Sequence, residues 1–309
     1  MTKVFIDGAA GTTGLRIYDR LNARKDLTLL TLTEELRKDT AARKQALNEA
    51  DIVFLCLPDA AAEEAVSLIE NENVKVIDTS TAHRVSEAWV YGFPELVGKD
   101  TIRNAKRIAN PGCHASGFIA LIYPLIQAGL LSKDAALTCF SLTGFSGGGK
   151  KMIADYESPD RPALYKAPRQ YGIAQQHKHL PEMVKVCGLT TAPVFCPIVA
   201  DYYAGMEVTV PVFAKDLLGT VQDLEKAYRD FYDQGLVRFT VKTDEGGFLS
   251  GNAFEGRDDM EISIYGNDER ILLVSRFDNL GKGASGAAIQ NMNLLLGCAE
   301  DTGLVVQYE

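Results

Sequence analysis

Residues 3–14 fix the first step of any fold open to this chain. Lys3 to Asp7 is a short apolar strand, the turn Gly8-Ala9-Ala10-Gly11-Thr12-Thr13-Gly14 follows directly, and a helix is expected over Leu15–Ala23. Strand, glycine turn and helix in that order open a βαβ unit. Glycine lets the backbone approach a pyrophosphate, and the helix N-terminus supplies partial positive charge. The spacing is GxxGxxG where GxGxxG is usual, so the flanking strand and helix carry the reading as much as the glycines do. Gly8, Gly11, Thr12, Thr13 and Gly14 are the candidate contacts to a dinucleotide.

The pattern continues. Leu27–Leu32 reads as a second strand, whose end meets the adenosine ribose in this architecture. Glu34 and Glu35 lie where an acid would bind the ribose hydroxyls of NAD. Arg37 and Lys38 follow at once and suit the extra phosphate of NADP. A third reading makes Thr33 the cap of a helix whose first turn carries the two acids. The pattern alone leaves NAD or NADP open. Asp51–Leu57 is a nearly continuous apolar run, as expected of a parallel strand buried on both faces. A helix over Ala60–Glu70 and a strand over Val74–Ile77 follow. This alternation predicts a doubly wound α/β sheet binding its ligands at the carboxyl ends of the strands. Ser80 and Arg84 fall at such an end, and Arg84 is a candidate for holding an anionic substrate, with a surface salt bridge as the alternative.

Arg107-Ile108-Ala109-Asn110-Pro111-Gly112-Cys113 ends another strand with two breaker residues and places a cysteine at the start of an apolar helix. The positive end of a helix dipole favours thiolate over thiol, and the thiolate is the nucleophile. Cys113 is the candidate for covalent catalysis; a small buried hydrophobe is the alternative.

Composition narrows the classes. The 309-residue chain carries a formal net charge of -9, which argues against a nucleic-acid surface. It has no signal segment and no apolar run long enough to span a bilayer, so no membrane partner is expected. The six cysteines form no CxxC pair, which fits a reduced cytoplasmic protein and neither a disulfide framework nor a zinc site.

The second half changes texture. A strand over Ala136–Leu142 runs into Thr143–Lys151, which reads as a flexible basic loop that either binds a phosphate through its backbone amides or is a mobile connection. Residues 152–176 show no clear period. His177-Lys178-His179-Leu180-Pro181-Glu182 has three readings: a metal site with Glu182, structural polar residues before a helix, or a general acid/base that partners the cysteine. His177 and His179 are expected to face different ways, one toward the cleft holding Cys113 and the other toward the domain interior or the substrate's edge. Strands over Val194–Ala200, Met206–Phe213 and Val237–Thr243, a helix over Thr220–Gln234, and a hairpin around Gly266-Asn267 predict a largely antiparallel α+β second domain. An apolar helix over Ala287–Leu296 closes the chain.

Gly8-x-x-Gly11-x-x-Gly14, Asp78-Thr79-Ser80-x-x-x-Arg84, Tyr91-Gly92-Phe93-Pro94-Glu95-Leu96, Asn110-Pro111-Gly112-Cys113, Gly144-x-Ser146-Gly147, His177-Lys178-His179-x-Pro181-Glu182 and Asn279-Leu280-x-Lys282-Gly283-Ala284 together resemble N-acetyl-gamma-glutamyl-phosphate reductases, in their shorter, second type. The resemblance spans essentially the whole chain. It departs after the cysteine, where an aromatic residue is common and His114 stands here. It implies NADP(H), a glyceraldehyde-phosphate-dehydrogenase-like catalytic domain, a role in arginine biosynthesis and a homo-oligomer, dimer or tetramer. The implied domains are 1–112 with 283–309 for the cofactor and 113–282 for catalysis. Reductive dephosphorylation of N-acetylglutamyl 5-phosphate would run through a Cys113 thioester. His177, or otherwise His179, would be the acid/base, with Ser80 and Asn279 at the cofactor, Arg84, Asn110, Ser146 and Gly147 at the substrate, and no metal. Another semialdehyde dehydrogenase, such as an aspartate-semialdehyde or aminoadipate-type enzyme, and a non-catalytic NADP-binding regulator are the rival expectations.

Overall fold

The computed structural model describes residues 1–241 and 243–307. The chain forms two compact units: Met1–Pro111 with Ala284–Leu304, and Gly112–Gly283 with residues 305–307. Residues 305–307, expected with the first unit, go with the second, where Val305 exchanges hydrogen bonds with Asp258.

The first unit is built on six parallel strands: β1 Thr2–Asp7, β2 Leu27–Leu30, β3 Ile52–Leu55, β4 Lys75–Asp78, β5 Val90–Tyr91 and β6 Arg107–Ala109, in the order β2-β1-β3-β4-β6-β5. Alternation along each strand makes two cores. Val4, Ile6, Ile52 and Phe54 pack with Ile17 and Leu21 of the helix Thr12–Asn22 and with Ile289 and Met292 of the helix Gly286–Leu295. Phe5, Val53 and Leu55 pack instead with Leu47 of the helix Thr40–Glu49 and Ala62 of the helix Asp59–Ser67. The last helix is buried at every residue, so its polar side chains need internal partners. Asn293 donates to the carbonyls of Glu300 and Thr302, and Asn291 to that of Gly92. The strand order reverses between β1 and β3, the point where open α/β sheets bind ligands.

One expected helix is absent. Residues 34–38 are a turn in which the Thr33 carbonyl accepts from the amides of Leu36 and Arg37. The helix begins only at Thr40, because Asp39 caps it by accepting from the Ala42 amide at 2.7 Å.

The second unit is a seven-stranded mixed sheet of β7 Thr138–Gly144, β8 Arg169–Gln170, β9 Val194–Ala200, β10 Met206–Phe213, β11 Val237–Phe239, β12 Met260–Gly266 and β13 Arg270–Phe277, ordered β11-β12-β13-β10-β7-β9-β8. β7 with β9 and β11 with β12 are parallel; the other neighbours are antiparallel. The helix Cys113–Gln127, apolar all round, packs against β10, β13 and the helices Leu180–Cys187 and Val221–Phe231. Gly117 permits that approach: a Cβ there would lie 2.5 Å from Val208 Cγ2. Thr143–Lys151, expected as a flexible loop, is a short 3-10 turn followed by the helix Gly149–Glu157. The strand expected over Val237–Thr243 stops at Phe239, and Lys242 lies outside the described residues. Among the described residues no helix is long and apolar enough to cross a membrane.

Candidate active site

Two sites emerge, one in each unit. In the first, a cavity of about 660 Å³ opens at the β1/β3 switch, lined by Gly8 to Gly11, Leu29 to Leu32, Cys56 and Leu57, and by Glu34, Arg37, Lys38 and Arg43. Gly8 has φ +88°, and a Cβ there would meet the Cys56 carbonyl oxygen at 2.3 Å, so only glycine fits. Gly14 is similarly constrained, with Gly8 O 2.4 Å from its ideal Cβ, whereas Gly11 has ordinary room and serves as the helix N-cap. Thr12 Oγ1 is buried without a hydrogen-bond partner among the described residues, at the first helical position. A phosphate oxygen is the acceptor such a hydroxyl and the adjacent free helix amides would satisfy. Thr13 lies in the same first turn. These residues fit a dinucleotide.

Three cations line the cavity with different freedom. Arg37 forms an ion pair with Glu34, and both are largely exposed. Lys38 is exposed. Arg43, which sequence reasoning passed over, is buried and committed: it holds Asp7 at 2.9 Å and Glu64 at 3.1 Å. Burial pushes the Asp7 carboxyl up, and the Arg43 guanidinium opposes that.

The expected residues at the carboxyl ends of β4 and β6 work mainly on the scaffold. Ser80 donates from both its amide and its hydroxyl to Asp78. The same carboxylate meets His83 Nδ1 at 2.6 Å, and the His83 ring stacks on Trp89 at 4.0 Å. Arg84 donates to the carbonyls of Asn110 and Thr79, bridging the two strand ends. The Asn110 side chain donates from Nδ2 to the Ala284 carbonyl at 3.0 Å.

The second site surrounds Cys113. Gly112 caps the helix and Cys113 is its first residue, half-buried. Glu182, one per cent exposed, accepts from the Gly112 amide at 2.8 Å. This bond ties the segment after the histidine pair to the cysteine turn. Glu182 therefore serves the backbone, and among the described residues no group of three or more His, Cys, Asp or Glu could hold a metal.

His177 and His179 do not point to opposite faces. The segment turns: Lys178 and His179 form the entry to the helix Leu180–Cys187, His179 is helical at φ -84° and ψ -11°, and the two rings meet at 4.7 Å and 86°. The His179 amide donates to His177 Nδ1 at 3.2 Å. That hydrogen bond makes Nδ1 the acceptor and leaves the proton of neutral His177 on Nε2. Burial, aided by the Lys178 charge, lowers the His177 pKa from its ordinary value, which favours the neutral ring. Upstream, Gln175 has φ +55°, uncommon for a side-chain-bearing residue. Its amide holds it there, donating to the Phe195 carbonyl at 2.7 Å and accepting from the Phe195 amide at 2.8 Å.

Four groups that sequence reasoning left unassigned complete this site. His114, three per cent exposed, joins Ser141 Oγ at 2.7 Å through Nδ1 and the Tyr171 hydroxyl at 2.6 Å through Nε2. Phe195 packs edge-on against both His114 and His177. Adjacency to Cys113 was the one signal for His114. Nothing local marks Tyr171, Ser141 or Phe195, which come from the strand-like stretches β8 and its sequel, β7 and β9. Ser146 is buried, its hydroxyl accepting from Asn279 Nδ2 at 3.0 Å, while Asn279 Oδ1 accepts from the Gly205 amide. These two expected ligand contacts pin each other inside the second unit. Gly147 is exposed beside them.

Family models and relatives match nearly the whole chain. Residues 3–105 match the model described as semialdehyde dehydrogenase, NAD binding domain, and residues 113–279 that described as semialdehyde dehydrogenase, dimerisation domain. An N-acetyl-gamma-glutamyl-phosphate reductase of Burkholderia lata is 46% identical, covering 96% of this chain and 97% of its own length. N-acetyl-gamma-glutamyl-phosphate reductase 2 of Nostoc sp. is 42% identical, covering 98% and 99%. Among solved structures, aspartate semialdehyde dehydrogenase II of Vibrio cholerae superposes with a TM-score of 0.72 at 16% identity, covering 96% of this chain and 98% of its own. That of Francisella tularensis gives 0.71 at 15%, covering 96% and 100%. The likeness to these structures extends to the fold alone; by sequence and by family model, the chain belongs to the N-acetyl-gamma-glutamyl-phosphate reductases of the semialdehyde dehydrogenase family.

Proposed function

We propose that this chain catalyses the reductive dephosphorylation of N-acetyl-L-glutamyl 5-phosphate to the 5-semialdehyde in arginine biosynthesis, with NADPH as reductant and Cys113 as nucleophile. The observation that carries the reading is the placement of Cys113 at the head of a buried helix, with His177 packed against the next residue, His114, and held in one tautomer. The Cys113 thiolate attacks the acyl carbon and phosphate leaves, forming a thioester and splitting one hard substitution into two easier steps. The bound dinucleotide supplies the hydride that reduces this thioester. The resulting hemithioacetal collapses, releasing aldehyde and thiolate. Its oxyanion needs a donor, and neutral His177 offers Nε2–H, as a neutral imidazole does when it polarises a carbonyl. This assigns His177 to donation; proton removal from the thiol is favoured by the helix N-terminus.

Gly8, Gly11, Thr12, Thr13 and Gly14 hold the pyrophosphate in this reading, and Arg37 and Lys38, exposed at the cavity rim, hold the 2′-phosphate of NADP. The second unit supports a homo-oligomer. Phe140, Phe213 and Leu272 lie on one face of its sheet by register, each at least 38% exposed, and form an apolar surface for a second copy. Light scattering of the purified protein tests that.

The deciding experiment runs the reaction in reverse, adding phosphate, NADP and either N-acetylglutamate semialdehyde or aspartate semialdehyde. Activity with the first and not the second is expected, and Cys113→Ser abolishes it while retaining NADPH binding. Preference for aspartate semialdehyde would give the function to the rival enzyme, and no turnover with any semialdehyde would favour the regulator.

A further inference from the structure

We infer that His114 is a positioning residue for the nucleophile: pinned by Ser141, it orients the Tyr171 hydroxyl to donate a hydrogen bond to the Cys113 thiolate. This rests on the reading of Cys113 as nucleophile and adds a second layer to it.

His114 follows Cys113 directly, and both of its ring nitrogens are engaged. Its surroundings are closed: His177 and His179 each lie 5.6 Å away by ring centroid, Phe195 5.3 Å and Tyr171 6.0 Å. Burial, with His177 beside it, drives the His114 pKa down to about 3, so the ring is neutral at any working pH. A neutral imidazole has one donor and one acceptor. Two polarities satisfy the chain. In one, Tyr171 donates to Nε2, and Nδ1–H donates to Ser141. In the other, Ser141 donates to Nδ1, Nε2–H donates to the Tyr171 oxygen, and the phenol proton is released for a further acceptor.

The thiolate selects the second. The Tyr171 hydroxyl is held 2.6 Å from the ring of His114, the chain neighbour of Cys113, and burial together with the Cys113 charge raises its pKa, so the phenol keeps its proton. Hydrogen bonds to a charged group are about twice as strong as neutral ones, so a phenol proton facing the thiolate outweighs one facing the imidazole. The other groups facing His114 are His177 and His179, and both come from the segment that Glu182 ties to Gly112. No proton is transferred in this arrangement; the array fixes a donor.

The test is the pH dependence of Cys113 alkylation by iodoacetamide, read at Cys113 by mass spectrometry. The proteins are wild type, His114→Phe, Tyr171→Phe and the double variant. His114→Phe keeps an aromatic ring and removes both hydrogen bonds. Loss of a hydrogen bond to a charged group shifts a thiol upward by about one to two pH units. Each single variant is expected to show that shift, and the double variant no more than either single. His114→Gln, which keeps one donor and one acceptor, is expected to recover part of it. Additive shifts, or a shift in Tyr171→Phe with none in His114→Phe, would overturn the proposal. If His114→Phe does not fold, Tyr171→Phe and His114→Gln still decide, because an unshifted Tyr171→Phe removes the donor from the model. The titration reads the thiol without turnover. Failure of the nucleophile assignment shows separately, as activity surviving in Cys113→Ser.

Discussion

His177 and His179 face each other, rings 4.7 Å apart and nearly perpendicular, with the amide of the second hydrogen-bonded to Nδ1 of the first. The pair is therefore asymmetric: His179 is buried at the entry of a helix, and His177 is only half-buried with Nε2 as its remaining donor. His177→Asn is expected to lower kcat by about a hundred- to thousandfold, as loss of an oxyanion donor does, with little change in KM. Protonating His177 at Nδ1 breaks the bond from His179, so wild-type activity falls on the acid side, below the ordinary histidine range of about 6.5. His177→Asn should erase that limb. His179→Asn should instead lower the melting temperature along with the rate. The opposite pattern in steady-state kinetics and thermal melts would transfer the donor role to His179.

The cysteines should separate by reactivity. Burial pushes the Cys56 thiol up to about 12 and the Cys139 and Cys187 thiols upward as well, while Cys113 sits half-buried at a helix N-terminus. At pH 7 a thiol near 12 is roughly one part in 10⁵ thiolate, and the thiolate is what reacts. Peptide mapping after brief iodoacetamide treatment should find Cys113 modified well before these three. Cys56 is half-buried in the cavity lining, so labelling it at a comparable rate would contradict the upward shift of its thiol.

The cations around the dinucleotide cavity should divide in the same way. Replacing Arg37 and Lys38 with Ala is expected to raise KM for NADPH about ten- to hundredfold and leave NADH little changed. Arg43→Ala should act on stability, because it strands the buried Asp7 carboxylate; breaking one side of a buried pair costs about 3 kcal/mol or more. Chemical denaturation and cofactor titration of the variants distinguish the two outcomes. Equal losses for NADPH and NADH in the double variant would place the 2′-phosphate elsewhere.

Local pattern carried the strands and most helices because burial on one or both faces writes a period into the sequence. Ile52–Leu55 is apolar at every residue because both faces are covered, and Met206–Phe213 was legible end to end. Cys113 was legible because the turn before it uses Pro111 and Gly112. The stretch from Thr33 was misread because Asp39, a better cap placed six residues later, captures the helix start. The facing of His177 and His179 was misread because residues two apart share a face even in an extended segment, and helix entry at Leu180 then brings the rings together. Tyr171, Ser141 and Phe195 could not be found from local spacing: they reach His114 only through the pairing of β7 with β9 and the chain after β8. Asn279 and Ser146 show the converse, two motif residues whose polar atoms are used on each other.

The buried neutral state of His114 makes folding stability depend on pH. Its pKa is about 3 in the folded protein and about 6.5 in the unfolded chain. Above pH 6.5 neither state binds a proton there, and its contribution to stability is fully present. As pH falls below 6.5 the unfolded chain takes up a proton that the folded protein refuses, so stability drops. The slope approaches roughly 1.4 kcal/mol per pH unit and ends only when pH reaches the folded value. Most carboxylates join the titration below about pH 5, and the raised Asp7 and Glu207 are common to wild type and variant, so the difference between the two from pH 6.5 to 5 reports the histidine. His177, lowered in the same direction, contributes there too, and His114→Phe should remove the larger share. Urea denaturation of wild type and His114→Phe across that window is the measurement. The variant is expected to show a visibly flatter dependence of unfolding free energy on pH. Parallel curves would mean that His114 takes up a proton inside the folded protein, and the neutral link between Ser141 and Tyr171 would be lost with it.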